Sequence, residues 1–287
     1  INPDDIDLPF MEKTIEEMSD QHPVLKEIIK KYTNEDRFSE IRFSDLNKKD
    51  IRNIKSVYFG MCAEVDDNIG KIIETLKQTK HYENTMIVFT SDHGEMLGEN
   101  KQWGKLGWWD SSYRIPLIIH IPGEKPQMIN DFTESVDIAP TILDWLETSI
   151  PTDWNGQSLL ANVKNSTNKS PSKEYVIFDW DFREDHHTSF VRNKELAPEE
   201  CNLSVIRTKK WKYVHFPSLP PLLFNILDDP YEINNLANKK NYLEIQNNLL
   251  SKLLSHRMIH QERQLSNTLL SSTGVKIDSG SQSRKVI

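Results

Sequence analysis

The clearest hydrophobic pattern in the chain is a one-sided apolar stripe between residues 47 and 79. Apolar residues recur there at steps of three and four, which is the period of an α-helix. The stripe consists of Ile51, Ile54, Tyr58, Met61, Val65, Ile69, Ile72 and Leu76. A helix of this kind buries its apolar side. We therefore predict a long helix that covers a sheet, with Cys62 as a small packed residue within it.

Two short apolar runs follow, and each has the composition of a buried β-strand. They are MIVFT at residues 86–90 and IPLIIHI at residues 115–121. Continuous apolar runs are typical of parallel strands that are buried on both faces. Residues 135–147 predict a second covering helix, which Asp137 opens with a carboxylate for free backbone N–H groups. This order of elements predicts a layered α/β fold.

The pattern changes on both sides of this core. Residues 1–46 are polar with short helical patches, and we interpret them as an irregular insert over the surface of a larger domain. Residues 148–173 resemble a linker, and short alternating segments then predict a small antiparallel sheet with a turn at residues 209–210. A helix is expected at residues 241–262. The predicted domains are residues 1–150 and 151–265, followed by a polar tail at 266–287.

Charge and composition exclude few functions. The net charge of −8, from 43 acidic and 35 basic residues, argues against nucleic acid or an anionic membrane as partners. No run of about 18 apolar residues is present, so we expect no membrane-spanning helix. Two cysteines do not indicate a disulfide framework.

The first candidate for chemistry is the segment that follows residues 86–90. Asp92 and His93 lie directly after this predicted strand, and open α/β sheets bind ligands at the carboxyl ends of their strands. A carboxylate and an imidazole together suit a divalent metal ion. The alternative is a turn or a helix cap, which is the commoner role of polar residues after a strand. The spacing alone leaves both interpretations open.

The second candidate is Lys105, which lies between Gly104 and Gly107. A lysine in such a loop can stabilise a developing oxyanion, or it can be an ordinary surface lysine. Trp108 and Trp109 follow, either as lining of a substrate pocket or as core residues. Farther along, His186 and His187 follow a carboxylate-rich segment, where a polar loop is favoured over a metal site.

Four linked blocks of this sequence resemble the sulfatase family of the alkaline-phosphatase superfamily in order and spacing. They are YFGMCAEVDDNIGKIIETL, NTMIVFTSDHGEMLGEN, GKLGWWDSSYRIPLIIHIPG and VDIAPTILDWL. The aromatic pair after the lysine, the segment at residues 213–237 and LLSHRMIHQERQL resemble the phosphonate monoester hydrolase branch most. The resemblance extends over most of residues 47–265.

The resemblance implies a fold and a site. The fold would be an alkaline-phosphatase-like sheet layered with helices, plus a small carboxy-terminal antiparallel sheet with a helix. Asp92 and His93 would be two ligands of one divalent metal ion, Mn²⁺, Ca²⁺ or Zn²⁺. Lys105 would bind the oxygens of the substrate anion. Asp181 and Arg183 would lie near the substrate pocket, for which Trp108 and Trp109 are also candidates.

The implied function is hydrolysis of sulfate esters, or of phosphonate and phosphate mono- and diesters, with a formylglycine nucleophile. The family makes formylglycine from Cys or Ser in a C/S-x-P/A-x-R motif, and neither Cys62 nor Cys201 lies in such a motif. The family's paired amino-terminal aspartates also have no counterpart here. Because the sequence begins at Ile1, we expect the amino-terminal half of the domain, with the nucleophile, to be missing.

The expected substrate is a small anionic ester, and we expect a homo-oligomer in the cytoplasm. Two alternatives stay open. One is a phosphoglycerol or phosphoethanolamine transferase on the same fold. The other is a non-catalytic fragment or remnant of such an enzyme, which the missing nucleophile favours.

Overall fold

The computed structural model describes residues 1–34, 46–164, 172–183, 189–191, 193, 195–260, 268–271 and 274–277. The α-helices are α1 (Ile15–Ser19), α2 (Pro23–Asn34), α3 (Lys48–Gln78), α4 (Asp110–Tyr113), α5 (Ile138–Trp145), α6 (Leu160–Val163) and α7 (Leu243–His260). The strands are β1 (Ile87–Thr90), β2 (Met96–Leu97), β3 (Trp103–Gly104), β4 (Leu117–His120), β5 (Tyr175–Asp181), β6 (Asn202–Thr208), β7 (Trp211–His215), β8 (Leu222–Asn225), β9 (Thr268–Ser271) and β10 (Gly274–Ile277).

The chain divides into two compact units, each made of two separate stretches of sequence. The first unit contains Ile1–Gly123 and Ile177–Leu243, and the second contains Glu124–Val176 and Glu244–Ile287. The sequence predicts boundaries at other positions, after residues 150 and 265. That division into domains stays a prediction.

The long predicted helix is present as α3. Its start is fixed by a capping box, in which the Asn47 side chain accepts from the backbone N–H groups of Lys49 and Asp50. Its apolar stripe, however, is buried only near the first turns, and Met61, Val65 and Ile72 are more than half exposed. Within the described part of the chain the stripe therefore covers no sheet. The predicted packing of Cys62 is also wrong, because this residue is exposed.

Strands β1 and β4 pair with each other, but the pairing is antiparallel. Their register places Ile87 opposite His120 and Thr90 opposite Leu117. The prediction of two buried parallel strands is wrong on direction, and Ile118 is largely exposed. A continuous apolar run indicates a strand but not its direction, since direction depends on how the connection returns to the sheet.

The small antiparallel sheet is confirmed. Its strand order is β5-β6-β7-β8, and antiparallel pairing joins β6 to β7 and β7 to β8. The turn between β6 and β7 contains Lys209 and Lys210, as the sequence predicts. This sheet packs into the core of the first unit.

The amino-terminal segment belongs to the same core. Val24, Leu25 and Ile28 of α2 are fully buried and cluster with residues of β6 to β8. The prediction of a surface insert is therefore wrong for this part of residues 1–46. The apolar face of α2 is what binds it to the sheet, because burying such a face stabilises a helix more than its intrinsic propensity does.

The second unit contains a buried ion pair in front of α5. The carboxylate of Asp137 is fully buried, accepts two hydrogen bonds from the Lys173 ammonium at 2.9 and 2.7 Å, and also accepts the backbone N–H of Gln157. Asp137 does open the helix, as predicted, but its side chain makes no cap hydrogen bond to α5. In the part of the chain that the structure describes, every helix is too short or too polar to cross a membrane.

Candidate active site

Strand β1 delivers Asp92 and His93 to a tight turn. The hydroxyl of Ser91 donates to the carbonyl of His93 at 2.6 Å, and the amide of His93 donates to Asp92 Oδ1 at 2.9 Å. These bonds keep the side chains of Asp92 and His93 next to each other. The Asp92 side chain is 81% exposed and the His93 side chain 35% exposed, so both are open to solvent.

The hydrogen bonds of His93 determine which ring nitrogen is free. His93 Nδ1 lies 2.8 Å from the carbonyl oxygen of Gly94. A carbonyl can only accept, so Nδ1 carries the proton and Nε2 keeps a lone pair in the neutral ring. Nε2 lies 3.4 Å from Asp92 Oδ2. A carboxylate oxygen and an imidazole lone pair therefore face one small region, as metal ligands do.

Lys105 acts electrostatically on this turn. Desolvation works to raise the pKa of Asp92, but the amide of His93 and the charges of His93 and Lys105 outweigh it, so this pKa lies below its ordinary value. Burial raises the pKa of Glu95, although the backbone N–H of Gly104 and the charges of His93 and Lys105 act against the rise. The three predicted site residues thus share one electrostatic environment.

Two glycines shape the loop that carries Lys105. Gly104 has φ of 73° and Gly107 has φ of 101°, a region of backbone conformation that favours glycine. A Cβ at Gly107 would also lie 3.0 Å from the indole nitrogen of Trp109. The side chain of Lys105 is exposed, whereas Leu106, Trp108 and Trp109 are buried. The Lys105 ammonium group is therefore open to solvent, while the residues that follow it are packed in the core.

The remaining predicted residues have other surroundings. Trp108 and Trp109 are 1% and 2% exposed and belong to the hydrophobic core, which favours the core interpretation over a pocket lining. Arg183 Nε donates to Asp181 Oδ2 at 2.7 Å on an exposed surface, and this hydrogen bond lowers the pKa of Asp181. No described contact joins this pair to Lys105. His186 and His187 lie outside the described residues.

The sequence interpretation missed residues that hold the site together. Glu95 shares the electrostatic surroundings of His93 and Lys105, and its place after the Asp92-His93-Gly94 segment was the one available signal. Asp110 is held by Lys212 and Arg207, which are far away in sequence. No local sequence pattern marks that contact.

The residues present fit part of a metal site. A divalent ion in a protein takes about four to eight ligands. Asp92 and His93 supply two of suitable chemistry, and the described residues contain no group of three or more His, Cys, Asp or Glu side chains that could hold an ion. The remaining ligands would have to come from elsewhere.

Comparison with known families identifies the family of the chain. A family model described as Sulfatase matches residues 19–148, and one described as N-sulphoglucosamine sulphohydrolase, C-terminal, matches residues 98–259, more than half of the chain. The chain belongs to the sulfatase family. The resemblance inferred from the four sequence blocks is thereby confirmed. Asp92, His93 and Lys105 lie within the region that the Sulfatase model matches, and of these three only Lys105 also lies within the second matched region.

Curated relatives extend the sulfatase assignment. The multifunctional alkaline phosphatase superfamily protein PehA of Trinickia caryophylli is 33% identical over 277 residues, which are 95% of this chain and 54% of PehA. Arylsulfatase K of Homo sapiens is 33% identical over 217 residues, which are 72% of this chain and 38% of that protein. The chain spans about half or less of the length of these relatives.

Solved structures confirm the predicted fold class. The phosphonate monoester hydrolase of Agrobacterium radiobacter superposes with a TM-score of 0.86 at 32% identity, covering 96% of this chain and 56% of that one. The phosphonate monoester hydrolase of Silicibacter pomeroyi gives 0.84 at 31% identity, covering 96% and 55%. This α/β sulfatase-family chain therefore shares its fold with the corresponding half of those enzymes.

Proposed function

We propose that this chain supplies part of the active site of a metal-dependent hydrolase that cleaves sulfate esters, or phosphonate and phosphate mono- and diesters. The observation that carries the proposal is the geometry of the Asp92–His93 pair, in which Asp92 Oδ2 and the free His93 Nε2 lie 3.4 Å apart at the end of β1. The names of the relatives, which include arylsulfatases and phosphonate monoester hydrolases, support this substrate class.

Asp92 and His93 would hold one divalent ion. The free Nε2 of His93 and an exposed carboxylate oxygen of Asp92 form a mixed nitrogen and oxygen donor set, which suits Mn²⁺ or Zn²⁺ at least as well as Ca²⁺. When bound, such an ion acts as a Lewis acid toward the ester oxygens. The protein fixes both donors beforehand through the hydrogen bonds of Ser91 and Gly94.

Lys105 would bind the anionic oxygens of the substrate. Its ammonium carries three N–H donors, and its loop exposes it while the following residues anchor the backbone in the core. A donor held in place before the reaction stabilises negative charge that develops during ester cleavage, without reorganisation at that moment.

Neither cysteine of this chain fits the role of nucleophile. Cys62 lies on the exposed side of α3, and Cys201 is buried, which raises the pKa of its thiol. Neither is followed by the residues that formylglycine formation needs. We therefore propose that the nucleophile is a formylglycine from outside these 287 residues.

The proposal is tested in the protein expressed from its complete reading frame. Asp92→Asn should lose bound metal, measured by elemental analysis, together with hydrolysis of nitrophenyl sulfate, phosphate and phosphonate esters. Lys105→Ala should keep the metal but lose about a hundredfold in kcat, the usual effect of removing one oxyanion donor.

Lys125→Ala is the matched control, because Lys125 is also exposed but belongs to the other compact unit. It should leave metal content and activity unchanged. If Asp92→Asn retains both metal and activity, or if Lys105→Ala is as active as Lys125→Ala, the proposed function is wrong.

A further inference from the structure

A cluster of four charged residues lies beneath the Lys105 loop. We call Asp110, Arg207, Lys212 and Glu232 the anchor cluster. The Lys212 ammonium contacts Asp110 Oδ1 and donates to Glu232 Oε2 at 2.7 Å, and Arg207 donates to Asp110 Oδ2 at 3.3 and 3.2 Å. Lys212 and Glu232 are almost completely buried.

The buried ammonium of Lys212 has all of its hydrogen bonds filled. Besides the two carboxylates, it donates to the carbonyl of Trp108 at 3.0 Å, so its three N–H groups have three acceptors. Two cations balance two carboxylates in the anchor cluster. Burial acts to raise the pKa of Asp110, but Lys212 and Arg207 outweigh it and lower that pKa. Asp110 is therefore charged at neutral pH and is bound by both cations.

The anchor cluster fixes the backbone just after Lys105. Lys212 binds the carbonyl of Trp108, and Glu232 Oε1 accepts the backbone N–H of Asp110 at 2.9 Å. The peptide segment between these two groups is consequently held at both ends. Because Gly107 and Trp108 follow Lys105 closely, these two hydrogen bonds restrict the positions that the Lys105 ammonium group can take.

The same anchor reaches the Asp92–His93 turn through α4. Asp110 is the first residue of this helix, and Ser112, two residues later, accepts the backbone N–H of Gly94 at 2.8 Å. A Cβ at Gly94 would lie 2.1 Å from the Ser111 carbonyl oxygen, so the turn and the helix are in direct backbone contact. One short helix thus joins the anchor cluster to both parts of the site.

We propose that Asp110 is a positioning residue, which the other members of the anchor cluster hold in place, and that it sets the distance between Lys105 and the Asp92–His93 pair. This inference rests on the proposed function. A buried ion pair contributes little stability compared with apolar residues of the same volume, whereas its directed hydrogen bonds fix a backbone in one place. The anchor cluster makes such bonds to two backbone groups of this loop.

The test is a double-mutant cycle in the protein expressed from its complete reading frame. Asp110→Asn keeps the side-chain size and removes the charge that Lys212 and Arg207 bind. We expect kcat for a nitrophenyl ester to fall roughly ten- to hundredfold, with bound metal retained. In the Lys105→Ala background the same change should have no further effect, because Asp110 acts through Lys105. Asp67→Asn, which removes the partner of exposed Lys71, is the control and should change nothing.

A second variant separates positioning from folding. Arg207→Gln removes one of the two cations that bind Asp110 and leaves the Lys212 contact in place. It should lower kcat less than Asp110→Asn does, and it too should have no further effect in the Lys105→Ala background. Both variants are checked by thermal unfolding. If Lys105→Ala itself has no effect, the proposed function fails. The positioning role is wrong if Lys105→Ala lowers kcat but the effects of Asp110→Asn and Lys105→Ala are additive. It is also wrong if both anchor variants lose activity only because they unfold.

Discussion

The backbone amide of Gly94 donates a 2.8 Å hydrogen bond to the carbonyl of Ser112. This bond ties the turn that carries Asp92 and His93 to the helix that follows the Lys105 loop. The contact is possible only because residue 94 has no side chain, since the carbonyl of Ser111 occupies the place where a Cβ would stand.

Gly94→Ala should therefore damage the site. The added methyl group would lie 2.1 Å from a backbone oxygen, which cannot move aside as a flexible side chain would. We expect a loss of about 2 kcal/mol in the free energy of unfolding, as for other overpacked sites, together with weaker metal binding. Urea unfolding and metal titration measure the two effects.

Gly70→Ala is the matched control for this substitution. Gly70 lies in the middle of α3, and a Cβ there meets nothing within 4 Å. Because alanine is the better helix former, this variant should be up to about 1 kcal/mol more stable. If the two alanine variants have equal stability, the close approach at Gly94 is not significant.

Histidine 22 should make stability depend on pH. His22 is 2% exposed, and its Nε2–H donates to the carbonyl of Pro220 at 2.9 Å. Burial lowers its pKa to about 4, against about 6.5 in the unfolded chain. The unfolded state therefore binds the proton first, so stability is full above pH 6.5 and falls as the pH decreases toward 4. The loss amounts to about 3 kcal/mol.

The measurement is urea unfolding of the protein and of His22→Asn between pH 4 and pH 8. Values at pH 8, where the histidine is neutral in both states, give the pH-independent cost of the substitution. Below pH 6.5 the two stability curves should converge, because the variant has no imidazole to protonate. Parallel curves over this range would contradict the assignment.

The ion pair between Asp137 and Lys173 should be important for the second unit. The Asp137 carboxylate is fully buried and is the partner of an ammonium that is itself mostly buried. Asp137→Asn leaves that ammonium with Glu134 as its remaining carboxylate partner in the described structure. We expect a loss of about 2 kcal/mol, since the two charge-assisted hydrogen bonds from Lys173 to the buried Asp137 carboxylate are replaced by contacts to a neutral amide.

Glu174→Gln is the comparison within the same unit. Glu174 pairs with Lys252 at 2.8 Å, but its side chain is largely exposed. Water and salt screen such a pair, so the substitution should hardly change the unfolding midpoint. Thermal unfolding of both variants tests this prediction. If the two substitutions lower the unfolding midpoint equally, the buried pair is no more important for stability than the exposed one.

Much of the local structure was predictable from sequence. The apolar period between residues 47 and 79 predicted α3, which extends over Lys48–Gln78. The alternating segments around residues 209–210 predicted the pairing of β6 with β7. The order and spacing of four motif blocks predicted the sulfatase family, which the comparisons confirm. These features depend on neighbours along the chain, so they can be inferred from a pattern of residues.

Only the tertiary structure decided how these elements meet. It made β1 and β4 antiparallel, placed α2 in the core, and brought Lys212 and Glu232 to Asp110. The sequence by itself determined the long helix α3, the pairing of β6 with β7 and the family, and it named the candidate side chains, because local periodicity and motif spacing encode these features. Strand direction, burial and the anchor cluster depend on the path of the chain between distant residues, and no local pattern specifies that path.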